Sequence, residues 1–267
     1  MNLPLPEYII FVLLGIGAGS IAACINSFKD SPYENFVWAK FFRSFILGAI
    51  AGSVYYGLSR VGVLTFDNLG ILLLAIIPAE RGLGELYKGF LKKANHVEYV
   101  HAFENLGMPL KNYGLKLLLA LGVLAVHGTF ISINIFLITP AIFSTNIPFI
   151  LKGALIGAIS TLIVAIGGGV KDSQFEGWDT IKFFRSPFLG LFTGAFLIFF
   201  TQNPLLLFLS NIGLERTVVE LYKTFITRRT RGLHQGKEPS NPEWFSRRWI
   251  FFGVWCLDIL LLLALLF

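Results

Sequence analysis

The chain has 267 residues, 55% of them hydrophobic and only 14% charged, with 22 Lys and Arg against 16 Asp and Glu for a formal net charge of +6. A soluble domain is about a quarter charged, and the mean hydropathy here is +0.69, so a soluble globular fold is excluded. The excess of positive charge does not mark a nucleic-acid binder: Lys and Arg are confined to segments between apolar runs and form no basic domain.

Apolar runs long enough to cross a hydrocarbon core recur along the chain and predict an all-α integral membrane protein. In chain order they fall at 7–28, 44–59, 62–79, 112–137, 149–170, 187–201, 204–214 and 248–267, the seventh running on into a polar helix. The first run ends in Ile21-Ala22-Ala23-Cys24, which looks like a lipoprotein processing box. No Lys or Arg precedes it and Glu7 does, so it reads as a retained helix. Eight alternating spans put 29–43, 80–116, 171–185 and 215–248 on one side. Every Lys and Arg except Arg60 and Lys152 lies in those segments. Such asymmetry marks the cytoplasmic face and leaves both termini outside a plasma or inner membrane.

The chain repeats itself. KDSPYENFVWAKFFRS at 29–44 returns as KDSQFEGWDTIKFFRS at 171–186, and ERGLGELYKGF at 80–90 returns as ERTVVELYKTF at 215–225. Two units follow, 1–140 and 141–267, each of four spans with a cytoplasmic KDS segment and a cytoplasmic amphipathic ELYK helix. An even number of spans per unit gives both the same orientation and a pseudo-twofold axis along the membrane normal. Gly48 and Gly52 match Gly190 and Gly194. Gly15 and Gly19, and Gly153 and Gly157, place the same close-packing spacing in the leading helices.

The stretch from Arg185 to Glu215 is shorter than that from Arg43 to Glu80. Two equal arms give a reach of about 22 Å against about 27 Å, short of a core about 30 Å thick. The second hairpin tip, Gln202-Asn203-Pro204, is expected inside the membrane, or else Glu215 and Arg216 are drawn towards its centre.

The matched charges are the candidate site. The first unit offers Lys29, Asp30, Glu34, Lys40, Arg43, Glu80, Arg81, Glu85, Tyr87 and Lys88. The second offers Lys171, Asp172, Glu176, Lys182, Arg185, Glu215, Arg216, Glu220, Tyr222 and Lys223. Arg81, Glu85 and Lys88 share a helix face, as do Arg216, Glu220 and Lys223. One reading is a nearly neutral structural network, with Asp30 and Glu34 against Arg81 and Lys88, and Glu80 and Glu85 against Lys40 and Arg43. The aromatics Phe36, Trp38, Phe41 and Phe42 suit a helix lying at the headgroup level. The other reading is a ligand or ion path, since charges near a bilayer are expensive. Arg, Lys and a Tyr hydroxyl suit an anionic lipid or a phosphate-bearing ligand. Asp258, near mid-membrane in the last span, needs a partner or a proton. His127 in the fourth span is a second intramembrane candidate.

His96, Glu98, His101 and Glu104 lack metal-ligand spacing, and Cys24 and Cys256 sit inside apolar runs, so no metal and no disulfide framework is expected. No phosphate-binding loop, zinc motif or nucleophile elbow is present, Ser20, Ser44 and Ser186 have no evident His partner, and no cofactor is implied. The expected function is a channel or small-solute transporter with a pathway near the pseudo-twofold axis. The alternatives are an accessory or scaffold subunit of a larger complex or homo-oligomer, and a lipid-handling enzyme at the cytoplasmic leaflet.

Overall fold

The computed structural model describes residues 6–60, 68–87, 121–122, 125–126, 128–176, 179–226 and 238–267, with the backbone alone at 135 and 170–176. All regular structure among them is helical: α1 (Glu7–Glu34), α2 (Trp38–Arg60), α3 (Leu69–Leu86), a π-helical turn (Asn134–Ile138) running into α4 (Thr139–Ser144), α5 (Phe149–Glu176), α6 (Thr180–Leu197), α7 (Pro204–Leu221) running into a π-helical turn (Tyr222–Ile226), α8 (Trp244–Arg247) and α9 (Trp249–Leu266). Among the described residues, four helical stretches are long and apolar enough to cross a membrane: Glu7–Glu34, Trp38–Arg60, Phe149–Gly169 and Trp244–Leu266. In α3, α6 and α7, each of 18 residues, charged side chains occupy one end of the helix.

Local signals set the helix ends. Asn68 caps α3 by accepting from the Ile71 amide. Asp179 caps α6 through the Lys182 amide, and Asn203 caps α7 through the Leu205 and Leu206 amides, with Pro204 at the first helical position. Each cap satisfies amides that a helix start leaves free. α1 ends at Asn35, whose φ is 63°. The matching position in the second half of the sequence is Gly177, the residue that adopts such a conformation without strain.

The KDS segment is not a separate surface element. α1 continues through Lys29, Asp30 and Ser31 to Glu34, with Pro32 inside it, and the KFFRS residues open α2. α5 runs through 171–173 in the same way, and α6 carries the second KFFRS. Of the aromatics expected on an interfacial helix, Phe36 meets Trp38, Phe41, Trp244 and Phe251, while Trp38 and Phe42 are exposed. The unequal hairpins also differ from two equal arms. α3 and α7 both have 18 residues, whereas α2 has 23 and α6 has 18. The difference therefore includes the arm that enters each hairpin.

Glycines place α1 on α2 and α5 on α6. A Cβ at Gly48 would stand 2.0 Å from the Gly15 carbonyl oxygen, and one at Gly157 would stand 1.9 Å from that of Gly190. Gly52 lies against Phe11 and Gly194 against Gly153 in the same manner. By contact, then, Gly15 corresponds to Gly157 and not to Gly153, and Gly19 corresponds to Thr161. The register of the KDS match extends unbroken through the leading helices; counting glycines alone misplaces it by one turn. Outward, α2 presents Phe42, Ile46, Ile50 and Val54, and α6 presents Phe184, Phe188, Phe192 and Phe196 at the matching positions. Apolar stripes of this kind suit hydrocarbon.

α3 is the innermost helix. Ile71 through Ile77 are all buried, and a Cβ at Gly213 of α7 would stand 2.0 Å from the Leu74 carbonyl oxygen. α3 and α7, one from each half of the sequence, thus meet backbone to backbone. A single apolar cluster draws on α1, α2, α3, α5, α6, α7 and α9.

Candidate functional site

Below the apolar seam the charged ends of α1, α3 and α7 converge. Glu220 on α7 forms an ion pair with Lys29 on α1, and its other oxygen, Oε1, lies 3.9 Å from Arg81 Nη1 on α3. Acid and lysine are both largely buried, with side chains 11% and 10% exposed. Burial alone would raise the Glu220 carboxyl. Lys29, then Arg81 and Lys223, outweigh burial and hold it well below the usual carboxylate range.

For Arg81 and Lys40 the pairing differs from the internal network expected of the sequence. Arg81 takes an acid from the other half, not Asp30 or Glu34. Lys40, matched in that expectation to Glu80 and Glu85, binds Glu34 and lies 3.5 Å from Asp30 Oδ2. Spacing along the chain favours local partners; the packing of α3 against α7 brings a distant one closer.

Arg43 and Arg185 also have partners other than acids. The Arg43 guanidinium carbon lies 5.5 Å from the centre of the Tyr87 ring, and that of Arg185 lies 6.0 Å from the centre of the Tyr222 ring. The tyrosines are matched residues, and a π-helical turn begins at Tyr222. Such turns are frequent at functional sites.

Two matched acids are buried deeper. Glu80 is 3% exposed and Glu215 is 0% exposed. Both Glu215 oxygens lack a hydrogen-bond partner. Burial raises its carboxyl, and Arg216, the Ser186 hydroxyl, Arg185 and Lys223 pull it back only in part. No hydrogen bond of normal geometry joins Ser186 to either Glu215 oxygen.

One turn along α7 from Glu215 lies a polar cluster that the repeat did not reveal. Asn211 Nδ2 donates to the Gly157 carbonyl at 2.9 Å and to Ser160 Oγ at 2.8 Å, and Thr193 Oγ1 donates to Asn211 Oδ1 at 2.5 Å. Asn211, Ser160 and Thr161 are fully buried. In the first half the matching positions hold Ile76, Ala18, Gly19 and Ala51. The signal available in the sequence was this divergence: hydrophilic residues in one copy where the other has apolar ones.

Asp258 has the partner its depth demanded, Ser20 of α1, whose Oγ donates to Oδ2 at 2.7 Å. His127 and Lys88 lie outside the described residues, as do His96, Glu98, His101 and Glu104. Asp172 and Glu176 fall on α5 where only the backbone is described. Glu85 closes α3 near the charged cluster's helix end.

Comparison with protein-family models, with curated proteins and with solved structures finds no match.

Proposed function

We propose that the chain is a membrane channel or small-solute transporter made of two same-orientation halves, 1–140 and 141–267, each of four spans, with its pathway beside a pseudo-twofold axis. One observation carries this reading: Glu220 of the second half is held by Lys29 and Arg81 of the first. A cluster internal to one half would move with it. A cluster joining the halves breaks when they rock apart, the motion that alternating access uses. With the basic segments in the cytoplasm, this cluster is the inner gate and both termini lie outside the cell membrane.

The second half also places polar groups beyond the gate. Glu215, then Asn211 with Thr193 and Ser160, lead from the charged end into the apolar part of α7. Polar side chains at such depth are costly and tend to mark solute or ion routes. The test is flux after reconstitution into liposomes. Wild type should pass small ions or charged solutes down an imposed gradient. The triple variant Ser160→Ala, Thr193→Ala, Asn211→Ile gives the second half the side chains Ala18, Ala51 and Ile76 of the first, and should stay folded with flux lost. A folded wild type that passes nothing under any ionic gradient would sink the proposal.

A second reading, an accessory subunit of a larger membrane complex, is favoured by the closely packed apolar seam between Leu74 and Gly213. It predicts a stable partner on purification in mild detergent together with an absence of flux.

A further inference from the structure

Arg43 and Arg185 occupy matched places, and each carries the same unmet need. Both are half-buried, and the Nε of each is enclosed without any hydrogen-bond partner. Neither forms an ion pair with an acid among the described residues. Buried donors are almost always satisfied, so a pair of orphaned ones in equivalent positions calls for an acceptor. The face of a tyrosine ring lies beside each guanidinium, Tyr87 for Arg43 and Tyr222 for Arg185. A ring steadies a cation without using its N–H donors. The tyrosines themselves are 36% and 37% exposed, so each arginine–tyrosine pair opens outward.

The setting favours an anion. Arg185 is one of three cations, with Arg216 and Lys223, whose charge acts on the single buried carboxyl of Glu215. One residue before each arginine an exposed phenylalanine, Phe42 or Phe184, faces outward. One residue after, Ser44 or Ser186 turns into the core. The guanidinium therefore stands at the border between apolar surface and the basic end of the helices, the level at which lipid phosphates lie. Its planar fork matches the paired oxygens of a phosphate.

We infer that Arg43 with Tyr87, and Arg185 with Tyr222, form two equivalent phosphate-binding sites at the basic end of the two hairpins. The phosphate is that of an anionic phospholipid headgroup or of a free phosphate compound. The inference stands apart from transport, since a scaffold would hold the same two sites.

Native mass spectrometry of the full chain, titrated with phosphatidylglycerol, phosphatidylcholine or inorganic phosphate, tests it. Two phosphatidylglycerol molecules should remain bound to wild type, one to Arg43→Gln or to Arg185→Gln, and none to the double variant, while phosphatidylcholine is lost from all. Inorganic phosphate bound with the same two-one-none pattern, in place of lipid, would identify a free phosphate ligand at the same sites. Should the glutamine variants fail to fold, Arg43→Lys and Arg185→Lys keep the charge but lose the fork. They should weaken binding about tenfold, the worth of one hydrogen bond to a charged group. Wild type retaining neither lipid nor phosphate, or folded variants retaining as much as wild type, would overturn the inference.

Discussion

Glu220, near the end of α7, and Lys29, near the end of α1, form a largely buried ion pair between the two halves of the sequence. Removing one partner of such a pair costs about 3–5 kcal/mol, because the other charge is left buried and uncompensated. Glu220→Gln, which also strands Arg81, should lower stability by that order. Glu34→Gln removes the acid of the more exposed Lys40 pair and should cost under about 1 kcal/mol. Thermal unfolding in detergent measures both. Equal, small losses would show that the inter-half cluster holds nothing together.

The pH dependence follows from the same acids. The Glu220 carboxyl is depressed in the folded chain. Its contribution is therefore fully present above the unfolded value of about 4.3 and is lost as pH falls through the lower folded value. The Glu215 carboxyl is raised, so its burial is favourable below about 4.3 and opposes folding as pH rises through the raised value. Glu220→Gln should flatten the acid limb of the stability profile. Glu215→Gln should flatten the opposite limb and raise stability at neutral pH. Unfolding temperature measured from about pH 2 upward, so that both limbs are sampled, separates the two, and profiles parallel to wild type would contradict both assignments.

Backbone contacts at glycine predict a graded series. A methyl at Gly48 or Gly157 would stand 2.0 or 1.9 Å from a carbonyl oxygen, well inside van der Waals contact, so Gly48→Ala and Gly157→Ala force the helices apart and should cost about 1–3 kcal/mol. Nothing lies within 4 Å of a Cβ at Gly57 or Gly82. Alanine there should be neutral or stabilise by about 0.5–1 kcal/mol, the helix-propensity gain. The same thermal assay ranks the four.

Asn35 tests the end of α1. Its φ of 63° with ψ of 168° lies where residues other than glycine are strained by about 1–3 kcal/mol. Its Oδ1 accepts from Trp244 Nε1 at 2.7 Å and from the Phe36 amide at 2.7 Å. Asn35→Gly loses those bonds and relieves the strain, so it should lie close to wild type. Asn35→Ala loses the bonds and keeps the strain, and should unfold at lower temperature than the glycine variant.

Much of this arrangement is legible in the sequence because it is written twice. The KFFRS and ELYK matches identify Arg43 with Arg185 and Tyr87 with Tyr222, and hydropathy alone finds the apolar helices. The partners of the charges are another matter. Lys29 and Glu220 are far apart in sequence and not matched to each other, and their meeting depends on Gly213 letting α7 approach the backbone of α3. Periodicity carries no information on that approach. Asn211 was hidden for a related reason. It lies inside an apolar run, and its role appears only when Thr193 and Ser160, on two other helices, close around it. The glycine pairing failed by one turn because GxxxG recurs within a helix, while a contact selects one register.

The measurement closest to the central claim is flux through a chain whose two halves are tied together at the cluster. Cys24→Ala and Cys256→Ala remove the native thiols, and Lys29→Cys with Glu220→Cys then allows a short bifunctional maleimide to bridge α1 and α7. If the Lys29–Glu220 contact is the inner gate, the untied variant should pass solute in liposomes and the bridged one should not, with single-cysteine controls unaffected by the reagent. Undiminished flux through fully bridged protein would contradict the account.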